Sequence, residues 1–413
     1  MTLTATLVGA PATALRDTAV PTAVDIGPVS SDLATMATPG YAARLVVRDG
    51  GYSAVTADRG DLWVFDDTIV FYYPPGSSTS TASPDYCGER NGTAAIQTRV
   101  VPGRPPALVE PAEPGVPECP ARLTDVPYQF LPTTTIFPGG AAEDCSNWTT
   151  GLTTLPDPRT GRPSDTVAVG YVAQCFAWGH PLPTSTLGSS VTTVTVGPVG
   201  SPIRAAGPPP VPPLLPDRPC PGTADALNSG FESPVLDGGY LYLFDPYGLG
   251  PGGGGCHRMG LARVPVGRLT SRSAYRFLTA ADWSADPTAA AADIMPADYA
   301  GTDDLSVSVS RLPGIGEFVM TYNPASRLSA GEIRTALAPW GPWSVPQAFT
   351  VPGWSTLNDY GFVLHPELDT ATKLVFSYSD GDGAAGAVAD RIVTLPLADL
   401  PAPPAPAPPP PSP

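Results

Sequence analysis

Several acidic residues stand where an apolar run of the sequence begins, a position from which a side chain can face an open site. Asp49 precedes a pair of glycines, Glu232 heads an apolar run, and Asp304 opens another. Burying an unpaired carboxylate is costly, so a buried Glu232 indicates acid–base chemistry, ligand binding or a specific buried partner. Asp49 also suits a turn in which its side chain bonds the backbone, and Asp304 suits a solvated strand start. Chemical and structural roles both stay open here.

A second group of residues has a structural interpretation beside a functional one. Asp66 and Asp67 close the run 61–65, and alternation along a strand sends one of them inward if the other points out. A turn or hydrogen-bonding role is favoured for this pair. His365 follows an apolar run and is either a satisfied core histidine or a site residue. Two tryptophans at 340 and 343 are expected to pack inside the fold, with a sugar platform as the alternative.

Several enzyme classes leave no signature in this sequence. It contains no Gly-x-Ser-x-Gly elbow, no P-loop and no dinucleotide fingerprint on a strand-to-helix turn. The glycine-rich run 250–255 is interpreted as a flexible loop, since no helix follows whose first turn could bind phosphate. The acidic residues therefore remain the main candidates for chemistry.

The elements that must position these acids follow a repeated pattern of lead-in, apolar strand, tight turn, second strand and Gly/Pro break. Period-two alternation with β-branched and aromatic residues predicts antiparallel strands, for example over 43–53 and 61–73. The pattern recurs in five units, at about 41–100, 127–200, 230–265, 302–344 and 360–395. Recurrence over a few tens of residues predicts an all-β, five-bladed β-propeller with four-stranded antiparallel blades.

The ends and the proline-rich stretches lie outside this pattern. Residues 1–40 are interpreted as a flexible lead or a ring-closing strand, 41–397 as the propeller, and 398–413 as a disordered Pro/Ala tail. Residues 101–126 are interpreted as an irregular insertion rich in Pro and Glu, and 207–221 as a polyproline-like, semi-rigid connector. We find no run of apolar residues long enough to predict a membrane-spanning helix.

The net charge and the cysteines limit which partners and which cellular compartment are expected. A formal charge of −16 disfavours nucleic acid and anionic lipid as partners, because neither polyanion is attracted to an acidic protein. The six cysteines are widely spaced and include no Cys-x-x-Cys, which predicts about three disulfides and an exported protein. Residues 1–15 resemble part of a signal peptide but lack a basic start, so a disordered N-terminus is the alternative.

Five short motifs carry a family resemblance: RDGGYS at 48–53, LWVFDDT at 62–68, GGYLYL at 238–243, GPWS at 341–344 and HPEL at 365–368. In this order they resemble actinobacterial five-bladed propellers related to the arabinanase-like glycoside hydrolases. That group includes endo-D-arabinanases that act on mycobacterial arabinan. The resemblance spans about residues 41–397, and its motifs specify the fold better than the activity.

The resemblance implies a site at one mouth of the central channel, where the innermost strands begin. One carboxylic acid protonates the leaving oxygen and a second carboxylate acts as base or nucleophile. By position, Asp49 would be the base or nucleophile, Glu232 the general acid and Asp304 a third acid. The substrate contacts implied in the same way are Arg48, Asp67, Asn228, Tyr360 and His365. No cofactor or catalytic metal is implied, although a structural calcium ion in the channel is compatible with it.

Two departures from the family pattern bear on this transfer. The stretch 65–68 is Phe-Asp-Asp-Thr where relatives often have Phe-Gly-Asp-Thr, and the second unit is heavily rebuilt around Cys145 and Cys175. No acid can therefore be assigned to the second blade. We therefore predict a monomeric, secreted or envelope-associated glycoside hydrolase acting on a furanose-rich polysaccharide such as cell-wall arabinan. The main alternative is a non-catalytic carbohydrate- or protein-binding propeller. A structural surface protein extended by the proline tail is the third interpretation.

Overall fold

The alternating runs form short antiparallel strands in this computed structural model. It describes residues 20–31, 43–73, 85–90, 92–101, 104–113, 126–127, 130–131, 134–136, 143–176, 185–201, 203, 215–216, 231–247, 258–287, 293–295, 302–312, 315–324, 331–355, 359–381 and 389–406. The strands group into five blades around a channel, so the predicted all-β, five-bladed propeller is confirmed. None of the described helices is long and apolar enough to cross a membrane.

The N-terminal part supplies the first blade and one strand of the last. Its strands are β1 (Val24–Pro28), β2 (Ser30–Ser31), β3 (Ala43–Arg48), β4 (Tyr52–Val55), β5 (Asp61–Phe65), β6 (Thr68–Tyr73), β7 (Asp85–Arg90), β8 (Thr93–Gln97), β9 (Ala107–Val109), β10 (Ala112–Glu113) and β11 (Val126–Pro127). Blade one has the order β4-β5-β8-β9, and β2 adds a parallel strand at its outer edge. Strands β3, β6 and β7 form a separate sheet, and β10 pairs with β11.

Blades two and three each contain five strands. Blade two consists of β12 (Thr134–Ile136), β13 (Glu143–Pro156), β14 (Pro163–Phe176), β15 (Ser185–Thr195) and β16 (Leu215–Pro216). Blade three consists of β17 (Glu232–Asp237), β18 (Tyr240–Tyr247), β19 (Arg258–Pro265), β20 (Arg276–Leu278) and β21 (Trp283–Ser284), with single 3₁₀ turns at Val266–Arg268 and Arg272–Ala274. Cys145 and Cys175 are directly opposite each other in the β13–β14 ladder. The disulfide framework as a whole stays a prediction.

Blades four and five have the four strands that the sequence predicts. Blade four consists of β22 (Thr302–Arg311), β23 (Phe318–Pro324), β24 (Gly331–Ala336) and β25 (Gln347–Phe349). Blade five consists of β26 (Tyr360–Leu364), β27 (Lys373–Asp380) and β28 (Ala389–Pro396), and β1 is its outermost strand. The β1–β28 pairing places Val24 opposite Thr394, and Asp25 Oδ2 accepts a hydrogen bond from Arg391 Nε at 3.0 Å. The two ends of the ring therefore share one blade.

Apolar clusters fill the space between every pair of neighbouring blades. Adjacent residues of one strand face different clusters, as the alternation requires: Val64 packs between blades one and two, and Phe65 between blades five and one. Leu243 and Phe244 divide in the same way between blades two and three and blades three and four. Phe349 belongs to the cluster between blades four and five. Both faces of each blade are thus buried, which closes the ring.

Two predicted strands of the first unit differ in the structure. The run 43–53 divides into β3 and β4 at residues 49–51, and the run 61–73 divides into β5 and β6 at Asp66 and Asp67. Gly50 has a φ of +64°, a conformation that ends a strand. The Asp66 amide donates to the Asp49 carbonyl at 2.9 Å, which ties the two breaks together. Both breaks lie at the end of the channel where the innermost strands begin.

The first residues of the predicted tail are packed, unlike the prediction. A 3₁₀ turn at Leu397–Asp399 follows β28, and Leu400 packs against the cluster between blades four and five. Thr335 Oγ1 donates to the Pro401 carbonyl at 2.5 Å. The Leu400 side chain and the Pro401 carbonyl thus attach residues 397–401 to blade four. Residues 407–413 lie outside the described residues.

Candidate active site

A cavity of about 120 Å³ opens at the channel end where the innermost strands begin. Four blades contribute to its walls. The acidic residues that line it are Asp49, Asp66, Asp67 and Glu232, and the aromatic ones are Tyr52, Trp148 and Tyr360. We call this cavity the mouth. A second cavity of about 240 Å³ continues along the channel, with walls from all five innermost strands.

Asp49 is held at the mouth by one contact from blade five and one within blade one. It follows β3 and lies in the turn that leads to β4, the innermost strand of blade one. The Tyr360 hydroxyl, at the start of β26 in blade five, donates to Asp49 Oδ2 at 2.6 Å. The Asp49 carbonyl accepts the amide of Asp66. The carboxylate is therefore fixed by a side chain and a backbone contact while it faces the cavity.

Asp66 is a second acid of the mouth, and it connects blade one to blade two. Its Oδ1 accepts a hydrogen bond from the Thr149 amide at 2.6 Å. Burial, followed by the negative charges of Asp49 and Asp67, raises the pKa of Asp66 well above its usual range, against the lowering effect of the Thr149 amide. Asp66 consequently keeps its proton at pH values where an ordinary aspartate is ionised.

Glu232 approaches the same cavity from the third blade. It is only 2% exposed, and its Oε2 accepts a hydrogen bond from the Val307 amide of β22 at 3.0 Å. The next residue, Ser233, has a φ of +49°, which is uncommon for a residue with a side chain. The Ser233 hydroxyl accepts the Val309 amide at 2.6 Å. Two contacts to blade four thus fix the irregular start of β17 and aim Glu232 at the mouth.

The structure brings together four of the residues that the sequence analysis selected. Asp49, Asp67, Glu232 and Tyr360 all line the mouth. Asp304 lies in β22, the strand whose Val307 amide contacts Glu232. The structure does not describe the Asp304 side chain. Asn228 also lies outside the described residues.

Arg48 and His365 lie elsewhere, contrary to their predicted roles as substrate contacts. Arg48 is 6% exposed; it forms an ion pair with Glu110 and lies over the Phe65 ring, 4.5 Å from its centre. Its side chain therefore supports the interior of blade one. The adjacent Asp49, which follows the end of β3, instead faces the mouth.

His365 is fully buried between the last and first blades. Its Nδ1 lies 2.5 Å from Ser53 Oγ, its Nε2 lies 2.8 Å from Ser377 Oγ, and its ring stacks on Trp63 with centres 4.5 Å apart. Both ring nitrogens thus have partners inside the protein. The satisfied core histidine is the interpretation that fits.

One of the three aromatic residues of the mouth is a tryptophan that the sequence analysis did not select. Trp148 of β13 is half-buried and lines the mouth. Trp343 is 2% exposed and Trp340 is partly buried against the same cluster between blades three and four. Those two pack inside the fold, as expected. No pattern in the sequence around Trp148 distinguishes it from any other residue of β13.

The described side chains include no group of three or more His, Cys, Asp or Glu arranged to bind a metal ion. Asp49 accepts a hydrogen bond from a hydroxyl group, and Asp66 and Glu232 accept hydrogen bonds from backbone amides. A structural calcium ion in the channel therefore stays a prediction without a candidate ligand set.

Comparisons with known proteins come from solved structures, since no family model and no curated protein matches this sequence. A Bacteroides ovatus protein, named as a candidate hydrolase, matches with a TM-score of 0.54 and 15% identity over 87% of each chain. A family 117 glycoside hydrolase of Zobellia galactanivorans gives a TM-score of 0.42 and 9% identity over 90% of this chain and 89% of that one. The catalytic domain of a Coprinopsis cinerea GH62 α-L-arabinofuranosidase gives 0.39 and 10% over 91% and 98%. The chain thus shares its fold with the Bacteroides ovatus protein, and the resemblance to endo-D-arabinanases and an actinobacterial source stay predictions.

Proposed function

We propose that this protein is a secreted or envelope-associated glycoside hydrolase that cleaves a furanose-rich polysaccharide, such as cell-wall arabinan, at the mouth. The observation that carries the proposal is that Asp49 and Glu232, from blades one and three, line a single cavity. Glycosidic bond cleavage needs two such carboxyl groups on either side of the bond. The substrate class follows the sequence resemblance, and aromatic and acidic walls suit the apolar faces and hydroxyl groups of sugars.

In the proposed reaction Glu232 donates a proton to the leaving glycosidic oxygen. Asp49 either removes a proton from the attacking water or attacks the anomeric carbon itself, and Tyr360 keeps its carboxylate oriented through the 2.6 Å hydrogen bond. In the second case a water molecule then hydrolyses the glycosyl-enzyme ester with Glu232 as base. Asp66, protonated beside Asp49, adds no second negative charge next to the Asp49 carboxylate.

A non-catalytic carbohydrate-binding propeller is the second candidate. One observation favours it: Glu232 accepts a backbone amide hydrogen bond, which stabilises the ionised carboxylate and opposes a general acid. In that function the acids of the mouth would accept hydrogen bonds from sugar hydroxyls.

Product release separates the two functions. The parent protein, Asp49→Asn and Glu232→Gln are incubated with mycobacterial arabinogalactan and with plant arabinan. Asp58→Asn is the matched control, because Asp58 is an exposed acid in the turn between β4 and β5. A hydrolase releases oligosaccharides with the parent and the control and not with the other two variants. Retained binding without products from any of the four proteins would contradict the hydrolase and favour the binding propeller.

A further inference from the structure

The turn that carries Asp49 packs against two buried carboxyl groups through its two glycines. A Cβ atom at Gly50 would lie 2.5 Å from Asp66 Oδ2, and one at Gly51 would lie 2.8 Å from Asp390 Oδ2. Neither distance leaves room for a side chain. The pair of glycines is thus required by the close approach of the two acids, in addition to the turn conformation of Gly50.

Asp390 connects to this turn through one serine. It lies at the start of β28 and is 3% exposed. Ser379 Oγ donates to Asp390 Oδ1 at 3.0 Å and accepts the amide of Gly50 at 3.4 Å. Ser379 lines the mouth and Asp390 lies behind it. A continuous chain of contacts therefore runs from Asp390 in blade five to the residue next to Asp49 in blade one.

The charges around Asp390 favour its protonated form. Burial and then the negative charge of Asp49 raise its pKa to about 7, while Ser379, Arg48 and the Gly51 amide lower it. Asp390 in turn contributes to the raised pKa of Asp66. At mildly acidic pH, Asp66 and Asp390, the two acids that pack on the glycines, are thus protonated.

We propose that Asp390 is a positioning residue for Asp49: through Ser379 it fixes the Gly50–Gly51 turn, and by holding a proton it leaves the negative charge on Asp49. When Asp390 ionises, a second negative charge appears behind the turn and repels Asp49 from its place beside Tyr360. This inference rests on the proposed hydrolase, in which Asp49 is the base or nucleophile.

The first part of the test is spectroscopic and needs no substrate. Aspartate carboxyl ¹³C signals are followed against pH in the parent, Asp390→Asn and Asp49→Asn proteins. We expect one signal, absent from Asp390→Asn, to titrate near pH 7 in the parent and at lower pH in Asp49→Asn, because the charge of Asp49 is gone. Titration in the ordinary aspartate range, or at the same pH in both proteins, would overturn the proposal.

The second part is the pH dependence of kcat/KM on arabinan. Asparagine at 390 can still accept from Ser379 but cannot ionise, so Asp390→Asn should keep its activity above pH 7 while the parent loses activity there. Asp390→Ala removes the support of the turn, and we expect kcat to fall by up to about 100-fold with little change in KM. Identical alkaline limbs in the parent and Asp390→Asn would contradict the charge coupling. A parent that releases no products although the ¹³C signals behave as expected would refute the hydrolase instead.

Discussion

The Tyr360 hydroxyl connects the fifth blade to the carboxylate of Asp49. Because a hydrogen bond to a charged group contributes about 1.5–3 kcal/mol, its loss has a measurable effect. We expect Tyr360→Phe to lower kcat by about 10- to 100-fold and to leave KM nearly unchanged, since the ring remains. Steady-state kinetics on arabinan checks this, with Tyr240→Phe in blade three as the control. A Tyr360→Phe enzyme with unchanged kcat would show that Asp49 needs no orienting partner.

Trp148 supplies the one tryptophan face among the described walls of the mouth. Aromatic rings bind the apolar faces of sugars, so its removal should weaken substrate binding more than it affects the chemical step. We expect Trp148→Ala to raise KM about tenfold, the loss of roughly 1.4 kcal/mol, with kcat within about twofold of the parent. Kinetics and binding by calorimetry with arabino-oligosaccharides measure both. An unchanged KM would place the sugar elsewhere in the mouth.

At the scale of single residues, the sequence predicts some of the site residues and not others. Asp49 and Glu232 could be selected because each heads an apolar strand, and the family pattern gave them roles. Asp66 looked like a turn residue, since its contact with Thr149 comes from the next blade and has no local signal. Asp390 is more distant still: its approach to Gly51 depends on ring closure. Long-range packing of this kind leaves no trace in the spacing of residues.

At the scale of elements, the turn between β3 and β4 must satisfy two requirements of the site at once, a backbone conformation and a close contact. Gly50 combines a φ of +64° with the close approach of Asp66, whereas Gly238 has a φ of +55° with no atom near its Cβ position. A side chain in this conformation costs about 1–2 kcal/mol by itself. We expect Gly238→Ala to cost about that much stability, and Gly50→Ala to cost more and to abolish activity. Urea unfolding and product release of both variants measure this, and equal costs with retained activity would contradict it.

The division of strands could be predicted only in part. Alternation located the strand residues of the first unit, yet it gave continuous runs over 43–53 and 61–73. The structure breaks both runs because the Gly50 conformation and the Asp66 to Asp49 backbone bond redirect the chain at the mouth. Hydrophobic periodicity shows which face of a strand is buried. It carries little information about a turn that is imposed by contact with another segment of the same chain.

At the scale of the whole molecule, buried acids couple stability to pH. Besides Asp390, burial and the charge of Glu367 raise the pKa of Asp61 to about 7, and burial raises that of Asp369 to about 8, with Glu367 adding to it and the Val375 amide opposing. The folded protein binds these protons more tightly than the unfolded chain. The contribution of these buried carboxyl groups to stability is therefore fully present below the ordinary aspartate pKa and is lost as pH rises through 7 and 8.

We accordingly expect the free energy of unfolding to be at least about 2 kcal/mol lower at about pH 8.5 than at about pH 5. Urea denaturation at the two pH values measures the difference. The double variant Asp61→Asn/Asp369→Asn should reduce it, since an amide does not titrate. An equal or higher midpoint at the alkaline pH in the parent would show that these carboxyl groups are ionised in the folded protein.

The pairing of β1 with β28 has a consequence for the order in which the protein is made. Val24 bonds to Thr394, 370 residues later, so the last blade cannot form until the chain has left the ribosome up to Thr394. Asp49 leaves early, whereas Tyr360, Ser379 and Asp390 leave late. A nascent chain with four folded blades therefore has Asp49 without its later partners, and the mouth is complete only after blade five has been made.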